Sequence, residues 1–277
     1  MPRLVVAEEN GNPVSLDYQD VGTGDPVVLI HGWPLTQQMW NAQVTAFVEA
    51  GHRVVSYDRR GFGRSTQTWE GYDYGTFAED LHHLVHALDL RRATLVGFSS
   101  GGGDIARYLG THGTGRIARV VLASAMLPAL RDTPDNATGM LDDATIAELL
   151  SAAREYRIPM VDEFLNRCFS VDGIVAIDEP TRRYALHLAS AASPKATTDS
   201  LVAWTGCDFR AELAAVDVPA LVIHGDSDAV VPFERSGRLT AAAIPGSETV
   251  IVPSAPHGVP MTHHQQWNQA VLAFLEK

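Results

Sequence analysis

The stretch Thr94-Leu95-Val96-Gly97-Phe98-Ser99-Ser100-Gly101-Gly102-Gly103 decides how this 277-residue chain is read. The apolar run at its start reads as a buried strand, and Ile105, Tyr108 and Leu109 beyond it have helical spacing. G-x-S-x-G stands at the junction. A strand that turns so sharply into a helix holds its central residue in a strained conformation with the hydroxyl exposed. Side chains on the flanking glycines would strike the neighbouring strand and helix. Ser99 is therefore the candidate nucleophile. Ser100 is not the centre of the motif, because the residue two before it is Phe98. The helix N-terminus that follows places backbone N–H groups beside the reacting atom.

Outward from this junction the same grammar repeats. Val27-Val28-Leu29-Ile30, Val54-Val55-Ser56-Tyr57, Val120-Val121-Leu122, Ala220-Leu221-Val222-Ile223 and Thr249-Val250-Ile251-Val252 are further apolar runs. Runs apolar on both faces fit a parallel sheet covered by helices on each side. Trp40, Val44, Phe47 and Val48 mark one helical stripe; Phe77, Leu81, Leu84, Val85 and Leu88 mark a second. Trp267, Ala270, Val271, Phe274 and Leu275 mark a third. Segments 4–7 and 14–18, separated by Asn10-Gly11-Asn12-Pro13, read as an antiparallel hairpin before the parallel part.

One interval breaks the alternation. Leu122 and Ala220 lie 98 residues apart, whereas a crossover needs roughly a dozen. The surplus carries helical patterns over 144–156, 160–169, 181–190 and 197–204. It is expected to be a helical insertion of about 70 residues rather than a disordered loop. The expected division is a core over 1–127, a helical cap over 128–198 and the rest of the core over 199–277.

Composition excludes other classes. Lys+Arg number 21 and Asp+Glu 33, a formal charge of −12. Such a chain has no general field for phosphate backbones or an anionic membrane surface. Cys168 and Cys207 are too few for a disulfide framework and read as buried thiols. No stretch approaches the roughly 18 apolar residues of a membrane span. The start, Met1-Pro2-Arg3-Leu4-Val5-Val6, runs into Glu8 and Glu9 without an apolar signal region. The expectation is a cytoplasmic protein without nucleic-acid or membrane partners; nothing in the sequence bars a homo-oligomer.

A serine hydroxyl needs a base to become a nucleophile, and the chain offers 11 histidines. His257, in Pro256-His257-Gly258, lies on the loop between the last strand and the last helix. Loops at the carboxyl ends of parallel strands are where such sheets build their sites. His82, His83 and His86 read as solvated helix surface, and His263 and His264 as residues near a helix cap. His31 reads as a loop-orienting residue whose ring bonds nearby backbone. The base needs an acid to fix its tautomer. Asp226 and Asp228 both lie on the loop after the fifth strand; Asp226 reads as a turn former, and Asp228 is the preferred acid, partly on the resemblance below. The oxyanion needs backbone donors: the N–H of Ser100 and that of Trp33, since Pro34 has none. No His/Asp/Glu spacing reaches a metal site, and the glycines after the strand lack the G-x-G-x-x-G of dinucleotide binding.

The order Ser99, Asp228, His257 is that of the α/β-hydrolase triad. At these residues the chain resembles that family, and more narrowly its cofactor-free haloperoxidases, or perhydrolases, and their aryl-esterase relatives. The resemblance is carried by His31-Gly32-Trp33-Pro34-Leu35, Tyr57-Asp58-Arg59-Arg60-Gly61-Phe62-Gly63-Arg64-Ser65, Tyr74-Gly75-Thr76-Phe77-Ala78-Glu79-Asp80-Leu81, the Ser99 motif with its helix, His224-Gly225-Asp226-Ser227-Asp228 and Ala255-Pro256-His257-Gly258. It covers the chain nearly end to end and is weakest over about 128–195. It implies a mostly parallel eight-stranded sheet flanked by helices with a helical cap insertion. It also implies the triad Ser99, Asp228, His257 and an oxyanion hole from Trp33 and Ser100, without a metal or cofactor. The expected substrates are small carboxylic esters or acids, with peracid formation from a carboxylic acid and hydrogen peroxide as a side activity. One departure is Ser100, where relatives commonly carry Met or Thr. An amide, a lactam or a carbon–carbon bond could be cleaved by the same triad. A haloalkane dehalogenase would need Asp where Ser99 stands. A binding module on a hydrolase scaffold would be favoured by a broken triad or a blocked elbow, and neither is seen.

Overall fold

Successive residues of a strand point to opposite faces of its sheet, and in the centre of this molecule both faces are buried. In the computed structural model, which describes residues 2–277, Val28 and Ile30 enter one apolar cluster and Val27 and Leu29 the other. Leu95 and Val96 divide in the same way, as do Leu122 and Val121. Each such side chain contributes about 1.5–3 kcal/mol of transfer free energy when fully buried. An unbroken Val/Leu/Ile run therefore has its best environment inside a covered parallel sheet.

The strands are β1 (Arg3–Glu9), β2 (Asn12–Val21), β3 (Pro26–Ile30), β4 (Arg53–Tyr57), β5 (Ala93–Phe98), β6 (Ile117–Ala123), β7 (Ser170–Val171), β8 (Ile174–Val175), β9 (Ala220–Gly225) and β10 (Glu248–Val252). Eight form one sheet in the order β1-β2-β4-β3-β5-β6-β9-β10; β7 and β8 make a small separate hairpin. The pairs β1–β2 and β2–β4 are antiparallel, and every other pair in the large sheet is parallel. The β1–β2 turn places Asn10 and Gly11 at φ of 53° and 75°. Two positive φ values are what the favoured two-residue hairpin turn demands, and Asn-Gly supplies them at least cost.

Helices cover both faces. α1 (Asn41–Glu49) and α11 (His264–Leu275) lie on one side, where the Phe47 and Trp267 rings stack at 6.2 Å. α2 (Tyr74–Ala87) and α3 (Gly101–His112) cover the other. Between β6 and β9 come α4 (Asp143–Glu155), α5 (Arg157–Cys168), α6 (Glu179–Ser190), α7 (Pro194–Gly206) and the short α8 (Arg210–Ala214). The starts of three of these are written locally. Asp142, Asp178 and Ser193 accept hydrogen bonds from the backbone N–H of Thr145, Thr181 and Ala196, caps worth about 1 kcal/mol each. The division expected at residue 198 falls inside α7, because the Ser193 cap and Pro194 start one uninterrupted helix that runs to Gly206. The remaining helices are α9 (Gly237–Ala243) and α10 (Val259–Thr262). Among the described residues no helix is long and apolar enough to cross a membrane.

β5 ends at Phe98 and α3 begins at Gly101, so only Ser99 and Ser100 make the turn. Ser99 sits at φ 54°, a left-handed conformation that costs a non-glycine residue about 1–3 kcal/mol. A Cβ on Gly97 would lie 2.5 Å from the Gly101 carbonyl oxygen, and one on Gly101 would lie 2.7 Å from that of Ile30. Both obstacles are backbone, which cannot swing aside. Gly97→Ala is therefore expected to destabilise the fold by about 1–3 kcal/mol or more. Gly115→Ala, where nothing stands within 4 Å, should change stability by less than about 0.5 kcal/mol. Urea unfolding of the two variants side by side checks this; equal midpoints would refute the account of the turn.

Candidate active site

Three loops at the carboxyl ends of parallel strands converge. Ser99 stands on the β5–α3 turn, Asp228 on the loop after β9, and His257 on the loop between β10 and α10. His257 Nε2 lies 2.9 Å from Ser99 Oγ, and His257 Nδ1 lies 2.8 Å from Asp228 Oδ2. With Asp228 ionised, Nδ1 carries the hydrogen and Nε2 is left to accept from the serine hydroxyl. The three residues sit 158 and 29 positions apart in the chain, and the sheet alone brings them together. The His257 ring also packs on Phe98, centroids 5.1 Å apart.

Asp228 is 5% exposed, yet its charge is well received. Oδ1 accepts the N–H groups of Val230 and Val231 at 2.9 and 2.7 Å. Oδ2 takes His257 and stands 3.1 Å from His224 Nε2. Burial alone would push the carboxyl up; the charge and hydrogen bonding of His257 and His224 hold it well below the usual carboxylate range. His224, fully buried, also donates from Nε2 to the Val231 carbonyl at 2.8 Å. No role for it follows from the sequence, although it stands in the same His-Gly-Asp-Ser-Asp string. Asp226 does what a turn former does: its Oδ1 accepts the Ser254 N–H at 2.7 Å and the Ser227 hydroxyl at 2.8 Å.

His31 lies under the loop that follows β3. Its Nε2 accepts the Arg59 N–H at 3.0 Å and its Nδ1 donates to the Gly32 carbonyl at 3.0 Å, so it orients two loops at once. Burial, aided by the nearby Arg59 charge, lowers its pKa from 6.5 to about 3. Arg59 itself is buried, with Nη2 2.8 Å from Asp104 Oδ1 and its guanidinium 4.0 Å from the centre of the Phe77 ring. Burial pushes the Asp104 carboxyl up to about 7 against the pull of Arg59, and Asp104 Oδ2 and Arg59 Nε have no hydrogen-bond partner. The pair lies 45 residues apart in sequence and shows no periodic signal.

The two residues expected to supply oxyanion donors stand side by side in an unexpected relation. Trp33 N–H donates to Ser100 Oγ at 2.9 Å, and Arg59 Nη1 donates to the same oxygen at 3.1 Å. The Trp33 ring is held by α5 and α7: Nε1 donates to the Thr197 carbonyl at 3.0 Å, and the ring meets Phe164 edge-on at 4.9 Å and Trp204 at 5.9 Å. Beside it opens a cavity of about 580 Å³ lined by Trp33, Met126, Leu130, Phe164, Trp204 and Val231 among others. One lining residue reaches the Ser99 turn, since Met126 N–H donates to the Ser99 carbonyl at 3.0 Å. A larger hollow of about 740 Å³, between Trp69, Tyr156 and Lys195, lies away from these residues.

The remaining candidates separate. His83 and His86 are exposed on α2, whereas His82 is half-buried, its ring stacked on that of His112 at 4.0 Å. His263 stands at the N-cap position of α11 without a side-chain hydrogen bond to the helix, and His264 begins it. Cys168 is buried, but Cys207 is only half-buried, so the reading of two buried thiols holds for one of them. Among the described residues no group of three or more His, Cys, Asp or Glu side chains is arranged to hold a metal ion.

Comparison with known proteins gives the family of the chain. A family model described as the alpha/beta hydrolase fold matches residues 25–264. The chain is 37% identical to the non-heme chloroperoxidase of Kitasatospora aureofaciens, over 95% of this chain and 97% of that one. It is 35% identical to the bifunctional esterase/perhydrolase of Acinetobacter calcoaceticus, over 95% and 96%. The crystal structure of bromoperoxidase from Bacillus anthracis superposes with a TM-score of 0.97 at 48% identity, covering 100% of this chain and 99% of that one.

The His31 environment gives a pH dependence of stability. Its folded pKa lies below its unfolded one, so from pH 6.5 down to about 3 the unfolded chain binds a proton that the folded chain does not. Stability should fall with acidification across that window by up to about 1.4 kcal/mol per pH unit from this group. Gln at position 31 offers one amide donor and one acceptor and does not titrate. His31→Gln should therefore show a flatter dependence of the urea midpoint on pH between 6.5 and 4.5; parallel curves would exclude the assignment.

Proposed function

The chain belongs to the α/β-hydrolase family, and on that premise we propose that it is a serine hydrolase of small carboxylic esters, working through an acyl-enzyme, with perhydrolysis as a second outcome. The observation that carries the reading is the unbroken line Ser99 Oγ, His257 Nε2, His257 Nδ1, Asp228 Oδ2, with contacts of 2.9 and 2.8 Å. In the first half-reaction Ser99 Oγ attacks the ester carbonyl carbon as its proton passes to His257 Nε2. The imidazolium is stabilised by Asp228, and the carbonyl oxygen becomes an oxyanion beside Ser100. His257 then gives its proton to the departing alcohol, leaving Ser99 acylated.

Water normally completes the cycle: His257 takes its proton, its oxygen bonds to the acyl carbon, and Ser99 leaves and is reprotonated. Hydrogen peroxide can take the place of water and leave as a peracid. When a carboxylic acid acylates Ser99, the oxygen lost is released as water, so the second route needs only acid and peroxide. A peracid can then oxidise halide away from the protein. No step calls for a metal or a prosthetic group. The names of the Acinetobacter and Kitasatospora relatives favour this pair of outcomes. Phe164 of α5 and Trp204 of α7, which line the cavity with Trp33, set the size and polarity of the acyl group.

Ser99→Ala should lower the hydrolysis of p-nitrophenyl acetate by about 10⁴-fold or more while leaving the circular dichroism unchanged. Asp228→Asn, which offers His257 the wrong partner, should lower kcat by about 10⁴-fold. Bromination of monochlorodimedone in acetate and hydrogen peroxide should disappear with the same substitutions. Full esterase activity in Ser99→Ala would overturn the assignment; bromination that survives in it would overturn the perhydrolysis route.

A further inference from the structure

The backbone donor expected on Trp33 does not face an open position. Its N–H ends on Ser100 Oγ, 2.9 Å away, and Arg59 Nη1 donates to the same atom at 3.1 Å. A serine hydroxyl has two lone pairs and one hydrogen. With both lone pairs engaged, the hydrogen must point away from the two donors. Ser100 is 1% exposed, so bulk water does not receive that hydrogen. Among the described residues the Ser100 hydroxyl donates to no protein acceptor, and neither does the Ser100 backbone N–H. The residue next to the proposed nucleophile thus carries two unused donors in a dry place, where a developing negative charge is felt most strongly.

We propose that Ser100 is a catalytic residue through its side chain as well as its backbone: its hydroxyl binds the carbonyl oxygen as that oxygen becomes negative, and the Trp33 N–H acts on Ser100 Oγ rather than on the oxyanion. The inference rests on the serine-esterase reading above. As the Ser99 Oγ–carbon bond forms, the proton of Ser99 goes to His257 and the carbonyl electron pair goes to oxygen. The Ser100 hydroxyl donates to that oxygen and keeps its own proton. Arg59 gives the hydroxyl its strength. A cationic donor on Oγ draws electron density from the O–H, making it a better donor to an anion. Arg59 is held for this by Asp104 at 2.8 Å and by the Phe77 face. The charge of a buried arginine thereby reaches the reacting oxygen through one hydroxyl, without Arg59 touching substrate.

The competing arrangement has the Ser100 hydroxyl swing away when substrate arrives, freeing Trp33 N–H to bind the oxyanion directly. Ser100→Ala separates the two. If the hydroxyl is the donor, kcat for p-nitrophenyl acetate should fall by about 10²-fold, with KM changed by less than about threefold. Affinity for phenylboronic acid, whose adduct on Ser99 places an oxygen in the same position, should fall in parallel. Ser100→Thr, which keeps the hydroxyl, should recover most of both losses. A kcat in Ser100→Ala equal to or above that of the parent would overturn the inference, as would a loss that Ser100→Thr does not recover. Ser99→Ala measured alongside keeps the two readings apart. Activity retained in Ser99→Ala removes the esterase reading itself; an inactive Ser99→Ala with a fully active Ser100→Ala removes only the role of Ser100.

Discussion

A turn with no room for a side chain on either shoulder governs this molecule. Gly97 and Gly101 are closed to a Cβ by backbone atoms, and the two serines between strand and helix must reverse the chain unaided. Ser99 accepts a left-handed φ of 54° to do so. The strain is tolerable because β5 lies inside the sheet, hydrogen-bonded to β3 and β6, and α3 is packed against α2. One distortion presents the Ser99 hydroxyl to His257, lays the Ser100 hydroxyl against Trp33 and Arg59, and begins a helix whose positive end faces the same point.

Around that turn the molecule keeps its charges dry but accompanied. Asp228 has backbone donors on one oxygen and two imidazoles near the other. Arg59 and Asp104 have each other, Ser100 and an aromatic face. Breaking a buried pair by removing one partner is costly because the other charge is then stranded. The contrast between Asp228, held far below its ordinary range, and Asp104, pushed up, follows from how many donors each carboxylate receives.

Much of this is legible in the chain itself. Unbroken apolar runs such as 27–30 and 120–122 encode a sheet covered on both faces, because their residues suit burial whichever way they point. Ser99 and His257 are visible because the glycines of the elbow and the loop after the last strand restrict where such residues can stand. The Arg59–Asp104–Ser100 network is not visible. Its members are ordinary polar residues within helix and loop, joined only by the folded sheet, and a lone pair of charges has no period. His224 is hidden by its neighbours, since an imidazole at a strand end looks the same whether or not a carboxylate curls back to meet it. Residue 198 looks like a boundary only until Ser193 is recognised as the cap of a helix that continues past it.

The pairing of β6 with β9 has a larger meaning. The chain leaves the sheet at Ala123 and re-enters at Ala220, and these two strands lie next to each other, hydrogen-bonded in parallel. To the sheet, everything between them is a single loop with fixed ends. The entropy of closing such a loop grows only with the logarithm of its length, about 0.6 kcal/mol for each doubling. A lineage can therefore lengthen, shorten or replace the roof of the cavity at small cost to the floor, and retain the reaction while changing what it is performed on.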